Sequence, residues 1–161
     1  MNNHERVDLA RWTLERQLHW VGTADAKAGA LVAMYLAIGG IGGSLLGDAN
    51  LNGTRMWLLI VAILISLPGL IYAVAVFFPR VDGPLDSIFF FGCIASLGHQ
   101  KYCERLLEID GSTALRDLSN QIVRNAEIAS SKHRTVRLSI AWAAVALLVW
   151  FVLLASAGAT S

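Results

Sequence analysis

The chain has 161 residues, of which 55% are hydrophobic and 16% charged, with a formal net charge of +1. That length holds one domain rather than two, and a soluble domain would be nearer a quarter charged. So even a balance gives no footing for nucleic-acid binding; the uneven placement of the charges is what carries information.

The leader, Met1 to Lys27, reads as a helix, with Leu9, Trp12, Arg16, Leu18 and Val21 on two adjoining strips. Nothing from Ala24 to Ala30 breaks it, so it is expected to run straight into the uncharged stretch Ala28 to Gly47. A cleaved signal peptide is disfavoured by the length of the leader and by its acids Glu5, Asp8, Glu15 and Asp25. Within the stretch, Gly39, Gly43 and Gly47 recur four apart, with Gly29, Ala33 and Ala37 on a related ladder. Small residues at that spacing let helix backbones approach closely in lipid, either inside one subunit or between subunits.

A short loop, Asp48 to Arg55, precedes a second uncharged run, Met56 to Phe78, in which Pro68-Gly69 should kink the helix. Pro79-Arg80-Val81-Asp82-Gly83-Pro84 is a turn-rich break. Asp86 is then expected to cap a helix whose apolar stripe is Ile88, Phe91, Ala95, Tyr102, Leu106 and Ile109. Asp110-Gly111-Ser112 stops it, and Ser112 is expected to cap the next helix, where Leu115, Leu118, Ile122, Ala129 and Val136 share a face. No breaker separates that helix from a third uncharged run, Leu138 to Ala157.

Each run is at least 20 residues long. At ~1.5 Å per residue each reaches about 30 Å, the thickness of the hydrocarbon core. Twelve of the 13 basic residues lie before the first run or between the second and third, leaving only Arg55 on the other side. The positive-inside rule makes the crowded side cytoplasmic. The expected fold class is all-α: a membrane protein with three transmembrane helices and a cytoplasmic helical bundle. One domain covers 1–161, with a cytoplasmic helix 1–27, spans 28–47, 56–78 and 138–157, and a cytoplasmic sensor segment 79–137 that completes the bundle. The expected location is the inner membrane, multi-pass, with N-terminus and central segment cytoplasmic.

No catalytic constellation stands out, and no catalytic residue, cofactor or metal is expected. Gly39-Gly40-Ile41-Gly42-Gly43 lies inside a span and lacks the Lys of a phosphate loop; His4, His19, His99 and His133 have no metal-ligand spacing. Cys93 and Cys103 read as reduced packing residues. What remains is a set of polar groups near the membrane surface. In the segment 79–137, eight basic residues face seven acidic ones, so most belong to an ordinary solvated face or anchor to headgroups. The sharper reading is that a few converge on an anion. Lys27, Arg80, Arg124 and Lys132 are the candidates for phosphate contact, with Gln121 and Asn125 offering amides to a base edge.

Ala24-Asp25-Ala26-Lys27-Ala28, leading into a Gly/Ala-rich span, resembles the D-x-K-A pattern of the Pycsar transmembrane effectors. Similar matches are Phe78-Pro79-Arg80 after the second span, Phe89-Phe90-Phe91 with Tyr102 beyond, and Asp117-Leu118 through Gln121-Ile122 and Ile128 to Lys132 before the third. The resemblance covers most of the chain in the right order. It implies an anti-phage effector that senses a cyclic pyrimidine nucleotide second messenger, cUMP or cCMP, made by a functionally linked pyrimidine nucleotide cyclase. It further implies action on the lipid bilayer, impairing inner-membrane integrity in abortive infection. Because three spans are too few to line a wide pore, a homo-oligomer associating through the ladder of Gly39, Gly43 and Gly47 is expected. The competing expectation is a non-catalytic membrane scaffold or regulatory subunit without a small-molecule ligand. A transporter is disfavoured because it usually needs ionisable or broken-helix elements at mid-membrane, and these spans carry no charge.

Overall fold

Hydrogen bonding at the first turn starts the first apolar helix cleanly. Asn2 Oδ1 accepts the Glu5 amide and Glu5 Oε2 accepts the Asn2 amide, both at 2.8 Å, a reciprocal cap on two otherwise orphaned donors. From there α1 runs unbroken over Asn3–Leu46, followed by α2 (Gly53–Ala75), α3 (Phe91–Glu108) and α4 (Gly111–Gly158). The computed structural model describes residues 2–47, 53–78 and 87–158, and among these it is all-helical, without strands. Helices α1, α2 and α4 are long and apolar enough to cross a membrane by length and composition. The chain is an all-α membrane protein.

Tertiary contacts divide it into two units, Met1–Thr23 with Pro79–Ser131, and Ala24–Phe78 with Lys132–Ser161. The second unit is a three-helix assembly. On α1 the inward positions are Ala24, Ala28, Leu31, Tyr35, Ile38 and Gly42; on α2, Leu59, Ala62, Ser66, Gly69 and Ala73; on α4, Lys132, Val136, Ser139, Ala143, Ala146, Trp150 and Leu153. Alternating steps of three and four keep each seam facing its partners, the pattern of left-handed helix packing. One cluster packs Ile38, Leu59, Ala62, Ala146, Trp150 and Leu153; another packs Ala24, Ala28, Val76 and Val136. Leu36, Ile71, Leu148 and Phe151 point outward and are more than 60% exposed.

Polar contacts cross-link these seams. The Tyr35 hydroxyl donates to the Ser139 carbonyl at 2.9 Å, and the Ser139 hydroxyl donates to the Gly69 carbonyl at 2.8 Å, so three helices meet at one point. Trp150 Nε1 donates to Ser66 Oγ at 3.1 Å, and Arg55 donates to the Ser156 carbonyl at 2.7 Å in the last turns of α4. Helix α2 continues through Pro68, which supplies no donor of its own. Two glycines make the close approaches: a Cβ on Gly69 would overlap the Tyr35 hydroxyl, and one on Gly42 would meet the Trp150 ring at 2.9 Å.

The first unit differs from expectation at its helix ends. Helix α3 begins at Phe91, so Ile88 precedes it; Asp86, the expected cap, lies outside the described residues. The cause is Ser87, whose hydroxyl accepts the Phe89 and Phe90 amides at 3.1 and 3.0 Å and holds the chain in a turn. Helix α3 also bends at Gly98, where φ is +73° and ψ 167°. The cap of α4 is Asp110, not Ser112: Asp110 Oδ1 accepts the Thr113 amide at 2.7 Å, and Ser112 donates its hydroxyl to Asp110 Oδ2.

Candidate ligand site

The polar candidates on α4 fall largely on the seam that should be apolar. Leu118, Gln121, Asn125 and Ala129 occupy successive inward positions in the first unit, and Lys132 opens the seam of the second. Polar side chains at such positions either specify packing or hold a ligand, and their partners show what each does now.

In the first unit Gln121 is buried, and its Nε2 donates to Ser87 Oγ at 3.0 Å. One turn earlier Asp117 Oδ2 accepts the Ile88 amide at 2.8 Å. Together they staple the turn before α3 onto α4, so the amide of Gln121 is engaged in positioning a loop. One turn later Asn125 is half-buried and donates from Nδ2 to the Gln121 carbonyl at 2.8 Å. Arg124 points away from the seam and pairs with Glu127 at 3.2 Å. That pair is largely solvated and contributes ~0–1 kcal/mol.

In the second unit, Lys132 Nζ meets Asp25 Oδ1 at 2.5 Å. The lysine side chain is 11% exposed and the aspartate 35%, so the cation is the more deeply held partner. Ala24, Ala28 and Val136, all buried, flank it along the same two helices. Lys27 is exposed, and being two residues from Asp25 it leaves α1 on another side. Arg80 lies outside the described residues. The structure therefore brings Gln121 and Asn125 together on one helix face, places Arg124 off that face, and gives Lys132 an acidic partner.

Three participants escaped sequence reasoning. Ser87 sits beside a turn-rich stretch with nothing to mark it; Tyr35 and Ser139 lie inside runs recognised by their lack of charge, a criterion that ignores hydroxyls. Their signal was a polar atom recurring on the seam spacing.

A cleft of about 280 Å³ in the first unit is lined by Ile88, Arg105, Glu108, Ile109, Asp110 and Thr113. One guanidinium against two carboxylates is the wrong balance for a phosphodiester. Hydrogen bonds from the Thr113 side chain and amide, then from Ser112, hold the Asp110 carboxyl below its ordinary value and keep it ionised there. Among the described residues no group of His, Cys, Asp or Glu is placed to hold a metal ion.

The family model of the Pycsar effector protein domain matches residues 9–158. No curated protein and no solved structure matches the chain.

Proposed function

The chain belongs to the Pycsar effector family, and from that premise we propose that it binds a cyclic pyrimidine mononucleotide, cUMP or cCMP, and then impairs the inner membrane of the infected cell. It is a Pycsar anti-phage effector, linked through its family to a cyclic-nucleotide signal. The observation that carries the proposal is the reach of the family match, which includes all three membrane-competent helices and the polar helical segments between them.

In this reading the protein performs no catalysis. A pyrimidine nucleotide cyclase supplies the ligand, Lys132 contacts the phosphate, and Lys27, Arg80 and Arg124 are further candidates for it. Gln121 and Asn125 are the candidates for the base. The charge pattern supports an orientation with the N-terminus and residues 79–137 in the cytoplasm. Impermeant thiol reagents should label a cysteine placed at Asn50 on intact cells; labelling only after lysis would reverse the orientation.

Calorimetry on the detergent-purified protein tests the ligand. We expect saturable binding of cUMP or cCMP, weakened about ten-fold or more by Lys132→Met, because a charge-assisted hydrogen bond contributes ~1.5–3 kcal/mol. Absence of binding with both nucleotides would leave the alternative, a membrane scaffold or regulatory subunit without a small-molecule ligand. One observation favours that alternative: Gln121, Asn125 and Lys132 are each already bonded within the chain.

A further inference from the structure

The Asp25–Lys132 pair joins α1 to α4 just outside the uncharged stretches of both helices, three residues before Ala28 and six before Leu138. Charges at that level are partly desolvated, and a cation there needs an anion beside it. The two partners are unequal. Lys132 is 11% exposed and flanked by Ala129 and Val136 on its own seam, both buried, whereas Asp25 is 35% exposed. If a second anion reached Lys132, the aspartate could turn out to water at little cost, while the lysine could not leave without losing its counter-charge.

We propose that Asp25 is a built-in competitor of the ligand's phosphate: it occupies Lys132 and latches α1 to α4, and the phosphodiester releases that latch by taking its place. This rests on Lys132 being the phosphate contact in the function proposed above. The exchange is isoelectric at the lysine, since one singly charged oxygen acid replaces another. Its consequence is mechanical, because Ala24, Ala28 and Val136 pack directly behind the pair, and the helices that carry it are the ones that continue through the membrane. The latch also accounts for a nucleotide effector carrying its candidate lysine already paired.

Two experiments on the full-length protein decide it. In cells lacking any pyrimidine cyclase, Asp25→Asn should arrest growth and admit an impermeant dye while the parent is silent; the purified variant should bind nucleotide about ten-fold tighter. Membrane insertion is checked by fractionation. An inserted Asp25→Asn protein that stays silent and binds as the parent does overturns the latch. The second experiment uses the unmodified protein, so no folding defect can intervene. A zero-length carbodiimide should join Asp25 to Lys132 by an amide, read by mass spectrometry, and saturating nucleotide should lower the yield several-fold. An unchanged yield with nucleotide demonstrably bound overturns the latch. If neither cUMP nor cCMP binds but Asp25→Asn still arrests growth, the nucleotide reading and the displacement by phosphate both fall, and only the restraint of α1 against α4 stands.

Discussion

A methyl group on Gly69 would overlap the Tyr35 hydroxyl and approach Trp142 Cβ to 3.0 Å, whereas one on Gly39 would meet nothing within 4 Å. Tyr35 cannot swing aside freely, because its hydroxyl is spent on the Ser139 carbonyl. Gly69→Ala must therefore push the helices apart or break that bond, and overpacking of this kind costs ~1–3 kcal/mol. Gly39→Ala should leave the subunit's stability unchanged or slightly improved, since alanine is the better helix former by about 1 kcal/mol. Thermal unfolding in detergent checks the contrast: equal midpoints for the two variants would mean that the Tyr35–Ser139–Gly69 junction does not hold the assembly. At this scale the sequence was least readable. The same letter, Gly, is a close contact at 69 and 42 and open surface at 39, 40 and 43. Which case applies depends on the helix opposite, and spacing along one helix cannot say that.

The helices themselves were easier to foresee in their middles than at their ends. Continuous α1 and α4 followed from the absence of breakers, and three apolar runs sufficed to identify the membrane helices. The start of α3 was misplaced because a serine accepting two main-chain amides can fold a turn as well as start a helix, and the choice is settled by Gln121 on a distant helix holding that serine. The α4 cap shifted from Ser112 to Asp110 because both carry suitable oxygens two residues apart. That cap makes a pH prediction. The Asp110 carboxyl titrates below its ordinary 3.8 when folded. Its contribution is thus fully present above that value and is lost as the pH falls through the lowered folded value. Asn caps about as well as Asp without titrating. Asp110→Asn should accordingly fray α4 less on acidification than the parent, and Asp110→Ala should fray it already at neutral pH. Amide hydrogen exchange over residues 111–116 reads both, and an identical pH profile for parent and Asp110→Asn would remove the cap from the account.

For the whole molecule the open question is what three membrane helices can do, since three spans are too few to line a wide pore alone. The glycine ladder allowed either close packing inside one subunit or association between subunits. A Cβ on Gly39 or Gly43 would meet nothing described within 4 Å, and Ala33, Ala37, Gly40 and Ser44 are exposed beside them. The subunit's own packing at this level uses Gly42 instead, against Trp150. A smooth face left uncovered suits a second copy approaching α1, where close backbone contact supplies the attraction that lipid does not. If nucleotide favours such an assembly, it does so only through its differential affinity for the two states, and ~5.5 kcal/mol would be needed for a complete switch. Gly43→Ile separates the steps. A Cβ at position 43 meets nothing described within 4 Å, so insertion and nucleotide affinity should match the parent, while copies can no longer approach across that face. Co-expression with the cyclase should then give normal growth and no dye uptake. If the Gly43→Ile protein inserts, binds and arrests growth as the parent does, the damaging assembly uses another surface and the glycines serve only to keep α1 slender.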